Sequence, residues 1–329
     1  MPSLAPSVAE IRLAVRAALT ALPDPPAALV VALSGGADSL ALAAAAAFEG
    51  RAADIRVLSV TVDHALQHGS ARVAATAAAQ AEALGIESAV QTVAIAESGE
   101  GPEADARTAR YAALRAVAQR EDAAVLLGHT LDDQAETVLL GLARGSGAAS
   151  LQGMAPVRED DDGTVWMRPL LAVRRETTRA ACAAAGLEPW QDPHNADPRF
   201  ARVRTRERVL PVLEAELGPG IAEALARTAE QLREDAEAFD EMIHETIEDI
   251  VEHAEAGISV SAAALAANPA ALRNRIIRLV VQSEFGVSLT RTQTVEVARL
   301  AVDWSGQGPI DLPGCTATRV GGRIVVAAR

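Results

Sequence analysis

The chain has 329 residues, half of them apolar, and 44 acidic against 30 basic side chains leave it at −14. That length accommodates one large domain and a smaller one with real cores, and the acidic excess argues against a nonspecific nucleic-acid coat. The longest apolar run, residues 40–48, is far too short to span a bilayer, and no basic start with an apolar core marks a secretory signal. The expectation is a cytoplasmic protein without membrane contact. Cys182 and Cys315 are distant and form no Cys-x-x-Cys, so neither a disulfide framework nor a zinc or iron–sulfur site is suggested, and both read as apolar packers.

Residues 1–25 read as an amphipathic helix stopped by Pro23-Asp24-Pro25-Pro26, a lid on a sheet edge. Residues 30–46 then combine an apolar run, the turn Ser34-Gly35-Gly36-Ala37-Asp38-Ser39 and an alanine-rich helix opening at Asp38 or Ser39. Adjacent glycines let backbone approach a ligand closely. First-turn N–H groups, the positive end of the helix dipole and the Ser34 and Ser39 hydroxyls favour an anion there. Asp38 would repel a bare phosphate, but fits if Mg2+ bridges it to a pyrophosphate. A plain strand-to-helix turn with no ligand is the bland alternative.

A second buried strand, residues 55–62, delivers Asp63-His64 at its C-terminal end, where ligands of doubly wound sheets gather. Residues 70–84 are helical, 88–95 form a third strand, and a loop at 98–102 leads into a helix at 103–119 carrying Arg107, Arg110 and Tyr111. The fourth strand, 123–127, feeds Gly128-His129-Thr130-Leu131-Asp132-Asp133 into a helix at 134–143. This alternation predicts an open parallel α/β sheet with helices on both faces over residues 27–150. A looser, arginine-rich region follows, with a helix at 176–185 and another at 209–217. Gly218-Pro219-Gly220 is the clearest punctuation, so the domains are placed at 1–218 and 219–329. The second is mainly helical: a long acidic helix at 221–256, two or three helices over 261–299, and short strands over 309–328.

Charge is unevenly spread. Residues 221–255 hold twelve acids and two arginines, whereas residues 168–208 hold nine arginines and five acids. The chain contains no lysine, which a coding bias toward arginine explains. Asp133 and Glu136, three apart, share a helix face beside the proposed phosphate site. Carboxylates so placed repel unless a metal or cationic substrate neutralises them. Compensation of the helix dipole would account for Asp132 and Asp133 but hardly for His129, Glu136 and Arg144 as well.

SGGADS resembles the pyrophosphate-binding loop of the N-type ATP pyrophosphatases. VDHALQHGSA, EADARTARYAAL, GHTLDDQAETVLLGLARGSG, RPLL and WQDPHNADPRFARVRTRERVLPVL, in order over residues 28–215, resemble the tRNA(Ile)-lysidine synthase family. Gln67, Thr130, Val203 and Thr205 depart from its usual pattern, and the length matches its short form. The resemblance implies an adenine nucleotide alpha hydrolase-like fold and an ATP-dependent ligase. Its chemistry would join free L-lysine to C2 of the wobble cytidine of tRNA(Ile) with a CAU anticodon, through an adenylated intermediate. It implies ATP at Ser34, Gly35, Gly36, Ala37, Asp38, Ser39, Val62, Asp63 and His64, with Mg2+ on Asp38. Catalytic roles would fall to Asp38, Asp133, Glu136, His129, Arg107 and Arg110, with lysine held by Asp133 and Glu136. Arg144, Arg202, Arg204, Arg206 and Arg208 would hold tRNA phosphates, a solvated helix face being the alternative for that block. A homodimer stays open as the assembly. Rival functions also stay open: a tRNA thiolase, for which paired cysteines are missing; a hydrolysing ATP pyrophosphatase or an amidotransferase synthetase, although no glutaminase domain fits in this length; and an ATP-binding module without turnover, for which the acidic helix has no use.

Overall fold

A computed structural model describes residues 4–65, 69–94, 98–99, 101–145, 147–254 and 257–329. The departure at Gln67 lies outside them. Two compact units are resolved, residues 1–233 and 234–329, so their division falls inside a long helix and beyond the glycine punctuation at 218–220.

In the first unit the elements run α1 (Pro6–Thr20), β1 (Ala28–Ala32), α2 (Ala37–Ala53), β2 (Arg56–Asp63), α3 (Ser70–Ala83), β3 (Glu87–Thr92), α4 (Pro102–Glu121), β4 (Ala123–Leu126) and α5 (Leu131–Ala143). There follow α6 (Ala148–Leu151), β5 (Val157–Glu159), β6 (Val165–Met167), α7 (Arg175–Ala185), α8 (Ala201–Arg204), a π turn at Thr205–Val209, α9 (Leu210–Leu217) and the start of α10 (Ile221–Ile250). The sheet order is β3-β2-β1-β4-β6-β5. β1 is central and parallel to both β2 and β4.

Both faces of β1 are covered, which is why its sequence is an unbroken apolar run. Leu29, Val31 and Leu33 pack with Leu40 and Leu42 of α2, Ile11 and Val15 of α1, and Ala181 and Cys182 of α7. On the opposite face Val30 packs with Leu58, Val60, Val125, Trp166 and Leu114 and Val117 of α4. Accordingly α1 lies on α2 and α7, on a face of the sheet rather than at its edge as the sequence suggested. The region after residue 150 also departs from expectation: β6 joins β4 in parallel and β5 pairs antiparallel on the outside, extending the sheet beyond residue 150.

The second unit contains the end of α10, then β7 (Val251–Ala254), β8 (Gly257–Ser261), α11 (Ala262–Ala267), α12 (Ala270–Phe285), α13 (Arg291–Val302), β9 (Ile310–Leu312), β10 (Cys315–Val320) and β11 (Arg323–Ala328). Its sheet, β7-β8-β11-β10-β9, closes over Ile276, Val280, Leu300 and Val326. The helix expected through residue 256 thus stops at Ile250, because residues 251–254 pair with β8. Among the described residues no helix is long and apolar enough to cross a membrane.

Candidate active site

β1 ends in a turn built by its own side chains. The Ser34 amide donates to Ser39 Oγ at 3.2 Å, the two hydroxyls lie 3.1 Å apart, and Ser39 Oγ donates to the Gly36 carbonyl at 3.0 Å. Gly35 adopts a φ of +82°, which only glycine takes at no cost, and its carbonyl accepts from the Trp190 amide at 2.9 Å. No side chain caps α2 at Gly36, so the first-turn N–H groups are left for a ligand. The helix opens at Ala37, slightly before the expected Asp38 or Ser39.

The end of β4 approaches this turn closely. A side chain on Gly128 would sit 3.1 Å from the carbonyl carbon of Asp38 and from the Ser39 amide nitrogen. His129 follows, and Thr130 caps α5. The Thr130 amide and hydroxyl both donate to Asp133 Oδ2 at 2.9 Å, while the Asp133 amide donates back at 3.4 Å. Capping is therefore one real role of Asp133.

Its other oxygen belongs to an ion-pair network. Asp133 Oδ1 accepts from the Arg175 guanidinium at 2.7 Å, and Glu136 Oε1 accepts from Arg175 at 3.2 Å. Arg202 Nε donates to Glu136 Oε2 at 2.8 Å, and Arg206 grips both Glu136 oxygens at 2.7 and 3.0 Å. Glu136 is wholly buried, and the side chains of Asp133 and Arg175 are 13% exposed. The expectation of carboxylates without partners is corrected on this point: three guanidiniums neutralise them. Correspondingly, Arg202 and Arg206, 36% and 23% exposed, are tied inward by Glu136 instead of lying free on a basic surface. Arg204 is exposed yet donates to the Pro198 and Arg199 carbonyls. Arg144 and Arg208 are exposed, and neither they nor Arg204 enter the network among the described residues.

Arg175 also reaches the glycine turn, with Nε 3.6 Å from Asp38 Oδ2. The buried Thr178 hydroxyl donates to Asp38 Oδ1, and the Arg175 amide donates to Asp132 Oδ2 at 2.8 Å. Burial raises the Asp38 carboxyl above its usual range, against the pull of Thr178 and Arg175 and with added repulsion from Asp133. Such a carboxylate is short of positive charge. One carboxylate beside phosphate oxygens is the donor set Mg2+ uses, so Asp38 fits that ion. Asp133 moves the opposite way: burial pushes its carboxyl up but is outweighed by Arg175, Arg202, the Thr130 amide and His129. Arg175 was missed from the sequence. Its one local signal is that Arg174 and Arg175 open α7, where cations oppose the helix dipole and need compensation from elsewhere.

A second cluster lies on the α4 face of the same strand ends. The Arg107 guanidinium donates to the Tyr111 hydroxyl at 3.1 Å, and Tyr111 stacks on the buried Trp166 with ring centroids 4.8 Å apart. Burial and neighbouring cations depress the Arg110 and Arg168 guanidiniums, and burial and Arg110 depress the His64 imidazole. His129 is pushed down to about 3 by burial, with Arg168, Arg202 and Arg110 adding to the effect and Asp133 opposing it. Nε of Arg110 and Arg168 and Nδ1 of His64 and His129 are buried without a hydrogen-bond partner among the described residues. With Asp63 beside His64 and Asp133 beside His129 as its acids, the cluster still carries more cations and open donors than acids, an arrangement that suits an anion. Asp63 is buried and accepts from the Ala65 amide at 2.9 Å, and Val62 packs into the core beside α4. The sheet thus gathers Ser34 to Ser39, Asp63, His64, His129, Asp133 and Glu136 at its C-terminal edge.

The protein-family model described as a PP-loop domain matches residues 10–213, and that of the TilS substrate binding domain matches residues 261–325. A tRNA(Ile)-lysidine synthase of Leifsonia xyli is 58% identical over 91% of this chain and 89% of its own length. One from Rhodococcus erythropolis is 50% identical over 98% and 94%. Among solved structures, the U34-tRNA thiolase NcsA of Methanococcus maripaludis superposes with a TM-score of 0.57 at 19% identity, over 69% of this chain and 80% of that one, a likeness of fold. With a phosphate-loop domain over most of the chain and relatives this similar along nearly all of it, the chain belongs to the tRNA(Ile)-lysidine synthase family.

Proposed function

We propose that this protein forms lysidine on tRNA(Ile), using ATP to join L-lysine to the wobble cytidine of the CAU anticodon in the cytoplasm. One observation carries the reading beyond the family relationship: Arg175 joins the phosphate-loop carboxylate Asp38 to Asp133 and Glu136 in one buried network at the sheet edge. That contiguity supports a nucleotide site beside an amino-acid site.

In the first step the cytosine C2 oxygen attacks the α-phosphorus and pyrophosphate leaves. In the second, the neutral ε-amine of lysine attacks C2, AMP departs with the oxygen, and the amine loses a proton. Splitting the substitution converts a poor leaving oxygen into a good one. The turn at Ser34 to Ser39 receives the leaving pyrophosphate on its first-turn amides and hydroxyls. Asp38 would hold Mg2+, which neutralises the charge building on that group. The unpartnered donors of Arg110, Arg168, His64 and His129, with Arg107, face the adenylyl phosphate and the substrate backbone. A cytosine in an unpaired loop can be splayed into such a pocket, and the exposed Arg204, Arg208 and Arg144 are the contacts for flanking phosphates.

The test is incubation with labelled lysine, ATP and a tRNA(Ile) transcript. Label should enter the tRNA, and pyrophosphate release should require tRNA. Pyrophosphate release without tRNA, or no label in tRNA, would refute it. The thiolase reading has no support from the cysteines: Cys182 is buried, its thiol pushed up to about 11 by burial, and Cys315 lies in the other compact unit.

A further inference from the structure

The peptide between Gly35 and Gly36 decides whether the phosphate turn attracts an anion or repels it. No described peptide bond is cis, so this one carries its carbonyl and its N–H in opposite directions. The Gly35 carbonyl is aimed at the Trp190 amide, 2.9 Å away. That leaves the Gly36 N–H on the other side, where the Ser34 hydroxyl lies at 3.4 Å and α2 begins. A contact of that length is weak, so the N–H is open to a better acceptor. Turning the peptide over would set a carbonyl oxygen against the pyrophosphate. Sterics do not prevent the turn, because both flanking residues are glycine and have no Cβ to clash. The hold on this peptide must come from outside the turn.

It comes from residues 187–192, an extended segment after α7 that belongs to no helix or strand. Leu187 anchors its start in the core, and Pro189 keeps Glu188 extended. Between the segment and α3, beside Gly35, lies a cavity of about 210 Å³ lined by Val73, Thr76, Gln80, Glu188 and Trp190. Packing is therefore incomplete here, and hydrogen bonds set where the segment lies. Gln80 of α3 supplies them as a neighbouring strand would. Its Nε2 donates to the Glu188 carbonyl at 3.1 Å, and its Oε1 accepts from the Glu188 amide at 2.8 Å. One side chain thus satisfies both backbone groups of one residue, two positions before the amide that grips Gly35. The same helix backs the glycine itself, since a Cβ on Gly35 would lie 3.2 Å from that of Ala77.

Resting on the reading of Ser34 to Ser39 as the pyrophosphate site, we infer that Gln80 is a positioning residue for the ATP half of the reaction. By pinning Glu188 it keeps the Trp190 amide on the Gly35 carbonyl, and so keeps the Gly36 N–H turned toward the pyrophosphate. Without the pin the peptide samples both orientations, of which one binds. Apparent affinity then falls by the competent fraction, while the complex, once formed, is unaltered.

The experiment titrates pyrophosphate with Mg2+, and separately ATP, into the full chain by calorimetry, and follows lysine incorporation into tRNA(Ile). Gln80→Met keeps the length of the side chain and removes both hydrogen bonds. It should weaken pyrophosphate and ATP by the same factor, roughly 5- to 10-fold, the net worth of about one neutral hydrogen bond. The KM for ATP should rise in proportion, while kcat at saturating ATP stays within about twofold and the lysine KM and tRNA affinity do not change. Trp190→Pro deletes the gripping N–H itself and should cost at least as much; where that variant does not fold, Gln80→Met carries the test. Thr76→Ala, one turn away on α3 with a hydroxyl bonded to its own helix, should bind as the unsubstituted protein does. Unchanged pyrophosphate affinity in Gln80→Met would overturn the inference, as would a fall in kcat with the ATP KM unmoved, or a loss of tRNA affinity equal to that of ATP, the mark of general disordering. Failure of the underlying reading looks different: the unsubstituted protein would then bind no pyrophosphate, and the inference would fall with it.

Discussion

Replacing Glu136 by glutamine keeps the shape of the side chain and removes one buried charge. Glu136 is wholly buried and accepts from Arg175, Arg202 and Arg206 at 2.7 to 3.2 Å, so the substitution leaves three guanidiniums sharing Asp133 and Asp38. Removing one partner from a buried ion pair costs about 3–5 kcal/mol. Because Arg202 and Arg206 are partly exposed and can turn toward water, the low end, about 3 kcal/mol, applies. For a unit of this size each kcal/mol lowers Tm by about 2–4 °C, which puts the drop at roughly 6–12 °C. Arg175→Met alone exposes the opposite imbalance. The double variant restores neutrality and should be less destabilised than the sum of the two by at least about 1 kcal/mol, within the range found for residues in one network. Urea denaturation followed by Trp166 and Trp190 emission in a Trp304→Phe background reports the first unit alone. If Glu136→Gln costs under 1 kcal/mol and the double variant is additive, the network behaves as a surface pair and the reasoning fails.

Asp38→Ala should abolish pyrophosphate release with the far-UV spectrum unchanged; wild-type release would remove Asp38 from the phosphate site. His129 stays neutral in the fold down to about 3, whereas the unfolded chain protonates it near 6.5. Its contribution to stability is therefore complete above about 6.5 and is lost as pH falls toward 3, at up to about 1.4 kcal/mol per pH unit. His129→Gln should flatten the stability profile between pH 6.5 and 4, and an unchanged slope would contradict the burial argument; Asp38, shifted the other way, is common to both proteins. Replacing Cys182 and Cys315 by serine should cost about 1–2 kcal/mol through buried hydroxyls and leave lysine incorporation intact. A folded double variant that binds both substrates but modifies no tRNA would return sulfur transfer to consideration.

The sequence makes the centre of the fold legible for a physical reason. β1 and β4 are apolar without interruption, and β2 is so apart from Arg56, Ser59 and Thr61, because helices cover both sides, and the three lead into glycine, aspartate or histidine at their ligand ends. Three-residue strands offer no period to read, so β5 and β6 join the sheet unannounced, through pairing with β4. Nothing in the acidic pattern marks where α10 stops, since its end is set by the pairing of β7 with β8. Asp133 and Glu136 stand out by spacing along one helix. Their partner Arg175 lies some forty residues away, and only the fold shows that the carboxylates are neutralised.

Gly128 gives the site its mechanical character. A Cβ at residue 128 would come within 3.1 Å of the Asp38 and Ser39 backbone, so glycine there is what lets the end of β4 close-pack against the phosphate loop. The arginine side, residues 201–209, differs: a π turn breaks the helical spacing there, and the Arg202 and Arg206 side chains are 36% and 23% exposed. The contrast is between a close-packed half that carries the phosphate loop and a more open half that carries the guanidiniums.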